Sequence, residues 1–137
     1  MRPIELVDYY PEFASYYPKC ELQTKRWFVE NVKRDWGVFD LGADVGYYSN
    51  LFSRLAPSGR VLAFEPTETI KKLNKNLTFR ECANVVALER VLGATTGRFE
   101  EDAYRIPGQP PERMTYTFTT LDKMVRELEL TRPRVCT

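Results

Sequence analysis

Val38-Phe39-Asp40-Leu41-Gly42-Ala43-Asp44-Val45-Gly46-Tyr47-Tyr48-Ser49 begins as an apolar, β-prone run, turns on two glycines and continues as an amphipathic segment. Strand, tight turn and helix is the order in which open α/β sheets present a ligand site at the carboxyl end of a strand. The next apolar run, Val61-Leu62-Ala63-Phe64, closes on an acidic residue, Glu65. An acid at that position suits a ribose, whose hydroxyls a carboxylate can accept. The two segments together imply a nucleoside-binding half-sheet.

The flanking sequence extends this unit in both directions. Before the turn, the pattern predicts a helix from about Cys20 to Lys33. Leu22, Phe28, Val29 and Val32 share a face, and Glu21/Lys25 and Glu30/Arg34 are placed as i,i+4 pairs. After the turn, Val45, Tyr48, Phe52 and Leu55 recur at helical steps, until Pro57-Ser58-Gly59 breaks the run. A strand from Arg60 to Phe64 follows, then a helix from about Thr69 to Leu77 with Ile70, Leu73 and Leu77 inward and Lys71, Lys72 and Lys75 outward. Val85-Val86-Ala87-Leu88 reads as a third strand, leading to Arg90-Val91-Leu92-Gly93. The resulting β-α-β-α-β order implies a parallel sheet.

Beyond Gly97 the pattern changes. Arg98-Phe99-Glu100 and the alternating Thr115-Tyr116-Thr117-Phe118-Thr119 are expected to pair as an antiparallel excursion. Thr120-Leu121-Asp122 opens a last helix with Leu121, Met124, Val125 and Leu128 on its buried face, stopped by Thr131-Arg132-Pro133. Val135-Cys136 resembles the start of another strand. At the other end, Tyr9-Tyr10-Pro11 and Tyr16-Tyr17-Pro18 disfavour a long helix. Residues 1–19 are expected to be an aromatic coil packed on the body of the domain, or an aromatic flap over a pocket. Residues 20–137 are expected to form the ligand-binding domain.

Composition narrows the function. A chain of 137 residues is one domain with room for a core, and 43% hydrophobic and 13% aromatic content argue against disorder. Lys+Arg at 20 against Asp+Glu at 19 gives no electrostatic case for nucleic acid or a membrane surface. No apolar run approaches the ~20 residues of a membrane span, and Met1-Arg2-Pro3-Ile4-Glu5 lacks a signal-peptide core, so a cytoplasmic location is expected. Cys20, Cys82 and Cys136 have neither metal-ligand nor disulfide spacing and are expected to be reduced thiols. With no histidine, Ser-His-Asp and Cys-His catalysis and most zinc sites are excluded. Asn76-Leu77-Thr78 is a glycosylation sequon, relevant only to a secreted protein.

The turn itself discriminates between ligands. A dinucleotide site requires G-x-G-x-x-G, its second glycine admitting the pyrophosphate. Here the spacing is Gly42-x-x-x-Gly46, with Asp44 at the second-glycine position. A carboxylate there is bulky and negative where a doubly charged group would sit, which disfavours NAD(P), FAD and the oxidoreductases that use them. Asp44 is instead expected near the helix N-terminus, where the macrodipole favours its charge. The phosphate loop G-x-x-x-x-G-K-[ST] is also missing. An adenosine ligand without phosphates remains.

Phe39-Asp40-Leu41-Gly42-Ala43-Asp44-Val45-Gly46-Tyr47-Tyr48 resembles the first motif of class I S-adenosylmethionine-dependent methyltransferases, and more narrowly the FkbM family. Ala63-Phe64-Glu65-Pro66 is similar to that family's A-F-E-P, Val91-Leu92-Gly93 with Gly97 to its segment after the third strand, and Thr119-Thr120-Leu121-Asp122 to its T-T-L-D. The likeness runs over about residues 20 to 133 and implies a Rossmann-like α/β methyltransferase fold with S-adenosyl-L-methionine as cofactor. Gly42, Ala43 and Gly46, with Tyr47 beside them, would approach the methionine portion. Asp40 would support the turn or contact the cofactor amine, Glu65 would hold the ribose, and Leu92 would lie beside the adenine. The acceptor implied is a hydroxyl on a sugar, glycan or natural product. The motifs name no catalytic residue.

Two departures from the family pattern shape the expectations. Asp44 stands where the family has Asn. The family's lysine-and-acid strand after T-T-L-D is replaced by Pro133-Arg134-Val135-Cys136-Thr137, with Arg134 in place of an Asp. A C-terminally truncated, incomplete fold is therefore expected, strands 3-2-1 with a central strand left as an unpaired edge. That edge would be covered by a homo-oligomer contact or a partner. The alternative to an enzyme is a non-catalytic half-fold that binds cofactor or partner.

Overall fold

The apolar runs on either side of the glycine turn form neighbouring parallel strands. The computed structural model describes residues 2–8, 13–103, 106–127 and 135–136. Its elements are α1 (Phe13–Lys19), α2 (Leu22–Asn31), β1 (Gly37–Leu41), α3 (Tyr47–Leu55), β2 (Arg60–Phe64), α4 (Ile70–Phe79) and β3 (Val85–Leu88). They continue as β4 (Val91–Leu92), β5 (Gly97–Ala103), β6 (Glu112–Thr119), α5 (Leu121–Glu127) and β7 (Val135–Cys136). One sheet runs β3-β2-β1-β7 with every pairing parallel, in a Rossmann-like α/β arrangement. A second sheet runs β4-β6-β5, and its β5–β6 pair is the expected antiparallel excursion, longer than the sequence pattern indicated.

The period of two along each strand sorts the core onto two faces. Val38 and Val61 point to one face and pack with Phe28, Val32, Leu51, Phe52 and Ala56 from the α2 and α3 segments. Ala63 joins Ala43, Leu73 and Leu77 on that side. Phe39, Leu62 and Phe64 point the other way and pack with Met124 of α5. Both faces of the sheet are covered, as continuous apolar strands require.

Several expectations are corrected. The central strand is not an edge: β7 lies parallel to β1, pairing Val38 with Val135 and Phe39 with Cys136. Two strand-forming residues alone do not name the strand they pair with; β1 supplies the partner. On α2, Phe28 and Val32 are buried but Leu22 and Val29 are 61% and 50% exposed, so the apolar face is narrower than the pattern suggested. Neither the Glu21–Lys25 nor the Glu30–Arg34 ion pair forms among the described residues; Glu21 and Lys25 instead serve two tyrosines described below. Residues 13–19 are a short helix rather than coil, with Pro18 inside it. Pro18 sacrifices one backbone bond near the end, a cost that docking of Tyr17 offsets. Leu121 of α5 is 38% exposed, whereas Met124 is buried. Tyr9-Tyr10-Pro11, Leu128, Thr131-Arg132-Pro133 and Arg134 lie outside the described residues.

Buried amides lock the helices to the turn. Asn76 is fully buried on α4. Its Nδ2 donates to the Val45 carbonyl at 2.7 Å, and its Oδ1 accepts the Val7 backbone N–H at 2.6 Å. Its side chain has no access for a glycan, so the sequon is structural in this fold. Asn50 donates to the Gly46 carbonyl at 2.7 Å and accepts from the Cys82 thiol at 3.2 Å. Cys20 and Cys82 are free thiols, as expected, and burial pushes the Cys82 thiol above its ordinary range. Asn76→Leu keeps the volume but strands two backbone groups, so urea unfolding is expected to show a loss of about 1–3 kcal/mol; a loss below ~0.5 kcal/mol would contradict this role.

Candidate functional site

The turn after β1 is built by a backbone that only glycine adopts without cost. Gly42 has φ +74° and Gly46 has φ +94°, both left-handed. At Gly46 a Cβ would lie 2.7 Å from Leu73 Cδ1, so this glycine also lets α4 approach the turn. At Gly42 a Cβ would meet nothing within 4 Å. That position opens outward at the carboxyl end of β1, beside Leu41, which is 41% exposed despite being apolar. A space that a single methyl group would enter, at the carboxyl end of a parallel strand, is where such sheets hold ligands.

Four N–H groups of the turn, those of Gly42, Ala43, Asp44 and Gly46, are already committed. Gly42 and Ala43 both donate to the Phe64 carbonyl at 2.9 Å, and Gly46 donates to Ala43 at 2.8 Å. Asp44, itself left-handed at φ 50°, donates its N–H to Glu65 Oε2 at 3.0 Å. A phosphate cradle needs free amides converging on one point. This turn bonds four of its amides within the protein, which adds to the case against pyrophosphate that Asp44 makes from sequence.

Glu65 is the keystone of the site. It is 6% exposed, at the end of β2. Beyond the Asp44 N–H on Oε2, its Oε1 accepts the Thr67 N–H at 3.0 Å and the Thr67 hydroxyl at 2.5 Å. The carboxylate thus ties the glycine turn to the loop before α4. With about two acceptor directions per oxygen, Oε2 keeps one for a further donor, while Oε1 is filled by Thr67. Thr67 was not singled out from sequence; a hydroxyl two residues after an acid is the usual signal of such a local bond.

Asp40 is 3% exposed and accepts the Ser49 hydroxyl at 2.5 Å, so it braces β1 against α3. Ala43 is buried in the cluster with Leu73. Leu92 lies on the opposite side, partly buried against the cluster of Phe39, Leu62 and Phe64. The structure therefore brings Gly42, Ala43, Gly46 and Glu65 into one bonded unit, with Asp40 behind it and Leu92 across the sheet. Asp44 does not cap α3: the N-cap is Gly46, with no side-chain bond to the helix.

The carboxylate of Asp44 instead accepts the Tyr17 hydroxyl at 2.9 Å. The Tyr17 ring stacks on Tyr47 with centroids 4.7 Å apart and 2° between planes. Lys25 sits 4.7 Å from the Tyr47 centroid and donates to the Tyr17 carbonyl. Tyr48 donates to Glu21 Oε2 at 2.6 Å. Partial burial, then these carboxylates, raise both the Tyr17 and Tyr48 phenols well above their ordinary values, so both remain donors at neutral pH. Tyr17 of the aromatic segment thus docks at the glycine turn itself, a position that suits both packing on the domain and a flap over that site. Among the described residues no group of acidic, cysteine or histidine side chains could hold a metal, and no helix is long and apolar enough to cross a membrane.

Comparison with protein-family models and with curated proteins finds no match. Solved structures with a similar fold include a precorrin-6y methyltransferase from Geobacter metallireducens GS-15, 24% identical over 49% of this chain and 37% of that one, TM-score 0.45. An rRNA methylase from Streptococcus thermophilus is 17% identical over 50% of this chain and 41% of that one, TM-score 0.46. An S-adenosylmethionine-dependent methyltransferase from Aquifex aeolicus is 17% identical over 72% of this chain and 52% of that one, TM-score 0.45. The chain spans less than two thirds of the length of each, and their cofactors and acceptors are properties of those proteins.

Proposed function

We propose that the chain binds S-adenosyl-L-methionine at the turn after β1 and serves as the cofactor-binding part of a class I methyltransferase. The observation that carries this is the pairing of an open glycine, Gly42, with a buried carboxylate, Glu65, across a turn in which the Gly42, Ala43, Asp44 and Gly46 amides are already bonded within the protein. That combination suits a nucleoside without phosphates. Gly42 gives the methionine portion room, and the free acceptor direction on Glu65 Oε2 takes one ribose hydroxyl. The second hydroxyl reaches Oε1 once the Thr67 hydroxyl turns aside. Asp40 acts as a brace through Ser49, and Tyr47 as the platform for α1. Leu92 is assigned to the adenine by the family resemblance.

The sulfonium of the bound cofactor would supply an activated methyl group. The protein then needs little acid–base chemistry, because positioning provides most of the rate. A chain without histidine is consistent with that demand. The acceptor we propose is a hydroxyl on a sugar, glycan or natural product; support comes from the four motifs that resemble the FkbM family.

Isothermal titration with S-adenosylhomocysteine is expected to give a Kd of about 1–100 μM, with no binding of NAD. Gly42→Ala should weaken that binding at least tenfold, since the new methyl group fills the open space, while the left-handed φ costs only about 1–2 kcal/mol of stability. Gly46→Ala should do the reverse in emphasis, unfolding at clearly lower denaturant because of the Leu73 clash. Binding of NAD alone, or of neither ligand by a cooperatively folded chain, would overturn the proposal.

A further inference from the structure

A cavity of about 390 Å³ lies between the two sheets, where β3 ends and the β5–β6 hairpin begins, reaching Pro66 beside Glu65 but none of the glycine-turn residues. Pro66, Glu89, Arg90, Arg98, Thr115 and Thr117 line it. Neither arginine has an ion-pair partner among the described residues, and neither does Glu89. The hairpin register explains why Arg98 is left over. Arg98 lies opposite Thr117, Glu100 opposite Thr115 and Asp102 opposite Arg113, so all six side chains share one face. The two acids of that face are already engaged by Arg113, at 3.3 Å from Glu100 and 3.4 Å from Asp102. Arg98, at the cavity end, therefore presents a guanidinium with no ion pair on its own sheet face, next to two threonines. Arg90 adds a second from the segment after β3.

Two unpaired guanidinium groups on one cavity, flanked by hydroxyls, form a receptor for an oxyanion, because the planar fork of arginine matches carboxylate and phosphate oxygens. The carboxylate of Glu89 is repulsive to that anion but can accept hydroxyl protons from the same molecule. We infer that this cavity binds the oxyanion end, phosphate monoester or carboxylate, of a small polyhydroxylated molecule. Arg90 and Arg98 take the charged oxygens. Glu89, Thr115 and Thr117 take the hydroxyls. This site shares no residue with the glycine turn, so it stands whether or not that turn binds S-adenosylmethionine.

The test is a titration of the isotopically labelled chain, followed by backbone amide shifts at low ionic strength, with glucose 6-phosphate, glucuronate and glucose. One or both charged sugars should shift the Arg98, Thr115 and Thr117 amides, and the tighter of the two identifies the anion. Glucose should shift none of them. Added salt should weaken the response, as for any partly exposed ion contact. Arg90→Gln and Arg98→Gln, each retaining the parent melting midpoint, should each weaken binding about tenfold. Should the arginine variants fail to fold, Thr117→Val provides a milder change expected to weaken binding several-fold. Equal binding of glucose, unchanged affinity in the arginine double variant, or no shift with either anion up to about 10 mM would overturn the inference.

Discussion

The carboxylate of Glu65 is the constraint on which the rest of the site depends. It sits in the core at the end of β2 and gathers the Asp44 N–H, the Thr67 N–H and the Thr67 hydroxyl. A buried charge is tolerated only when hydrogen bonds replace its lost water. Those bonds hold the glycine turn and the loop before α4 in fixed relation. The left-handed backbone at Gly42, Asp44 and Gly46 is thereby held in place, and the opening at Gly42 exists because it is. Fold stability and the shape of the proposed site meet in one side chain.

Around this unit the packing is arranged in layers of support. Gly46 lets Leu73 come close, Asn50 and Asn76 tie the turn to α3 and α4, and Asp40 ties β1 to α3 through Ser49. The N-terminal segment adds a further layer from outside, through Tyr17 on Asp44 and Tyr47. Asp44 is thus used twice, its backbone for the Glu65 bond and its side chain for the tyrosine. Its negative charge is directed toward α1 rather than into the turn.

Much of this was legible in the sequence because it depends on short-range pattern. The strands Arg60–Phe64 and Val85–Leu88 are apolar runs of the right length, and both form where the pattern put them. The glycine turn and Glu65 were visible as residue types that strand ends and tight turns require. What could not be read was any feature set by a distant partner. Pairing of Val135-Cys136 with β1, the stack of Tyr17 on Tyr47, and the inward turn of Asn76 all join residues far apart in sequence. Asn76 did leave a trace, a polar residue between Leu73 and Leu77 on the inward face of α4. The helix at residues 13–19 runs against the local proline preference, and the contacts of Tyr17 with Asp44 and Tyr47 that accompany it are not visible in local sequence.

In the proposed complex Glu65 receives a ribose hydroxyl. The most direct test of that contact compares the affinity of S-adenosylhomocysteine with that of its 2′,3′-dideoxy counterpart, in the parent chain and in Glu65→Gln. Hydrogen bonds to a charged group contribute about 1.5–3 kcal/mol each, so the dideoxy compound should bind the parent at least tenfold more weakly. In Glu65→Gln the two compounds should differ far less. Equal affinity of both compounds for the parent chain would contradict the assignment.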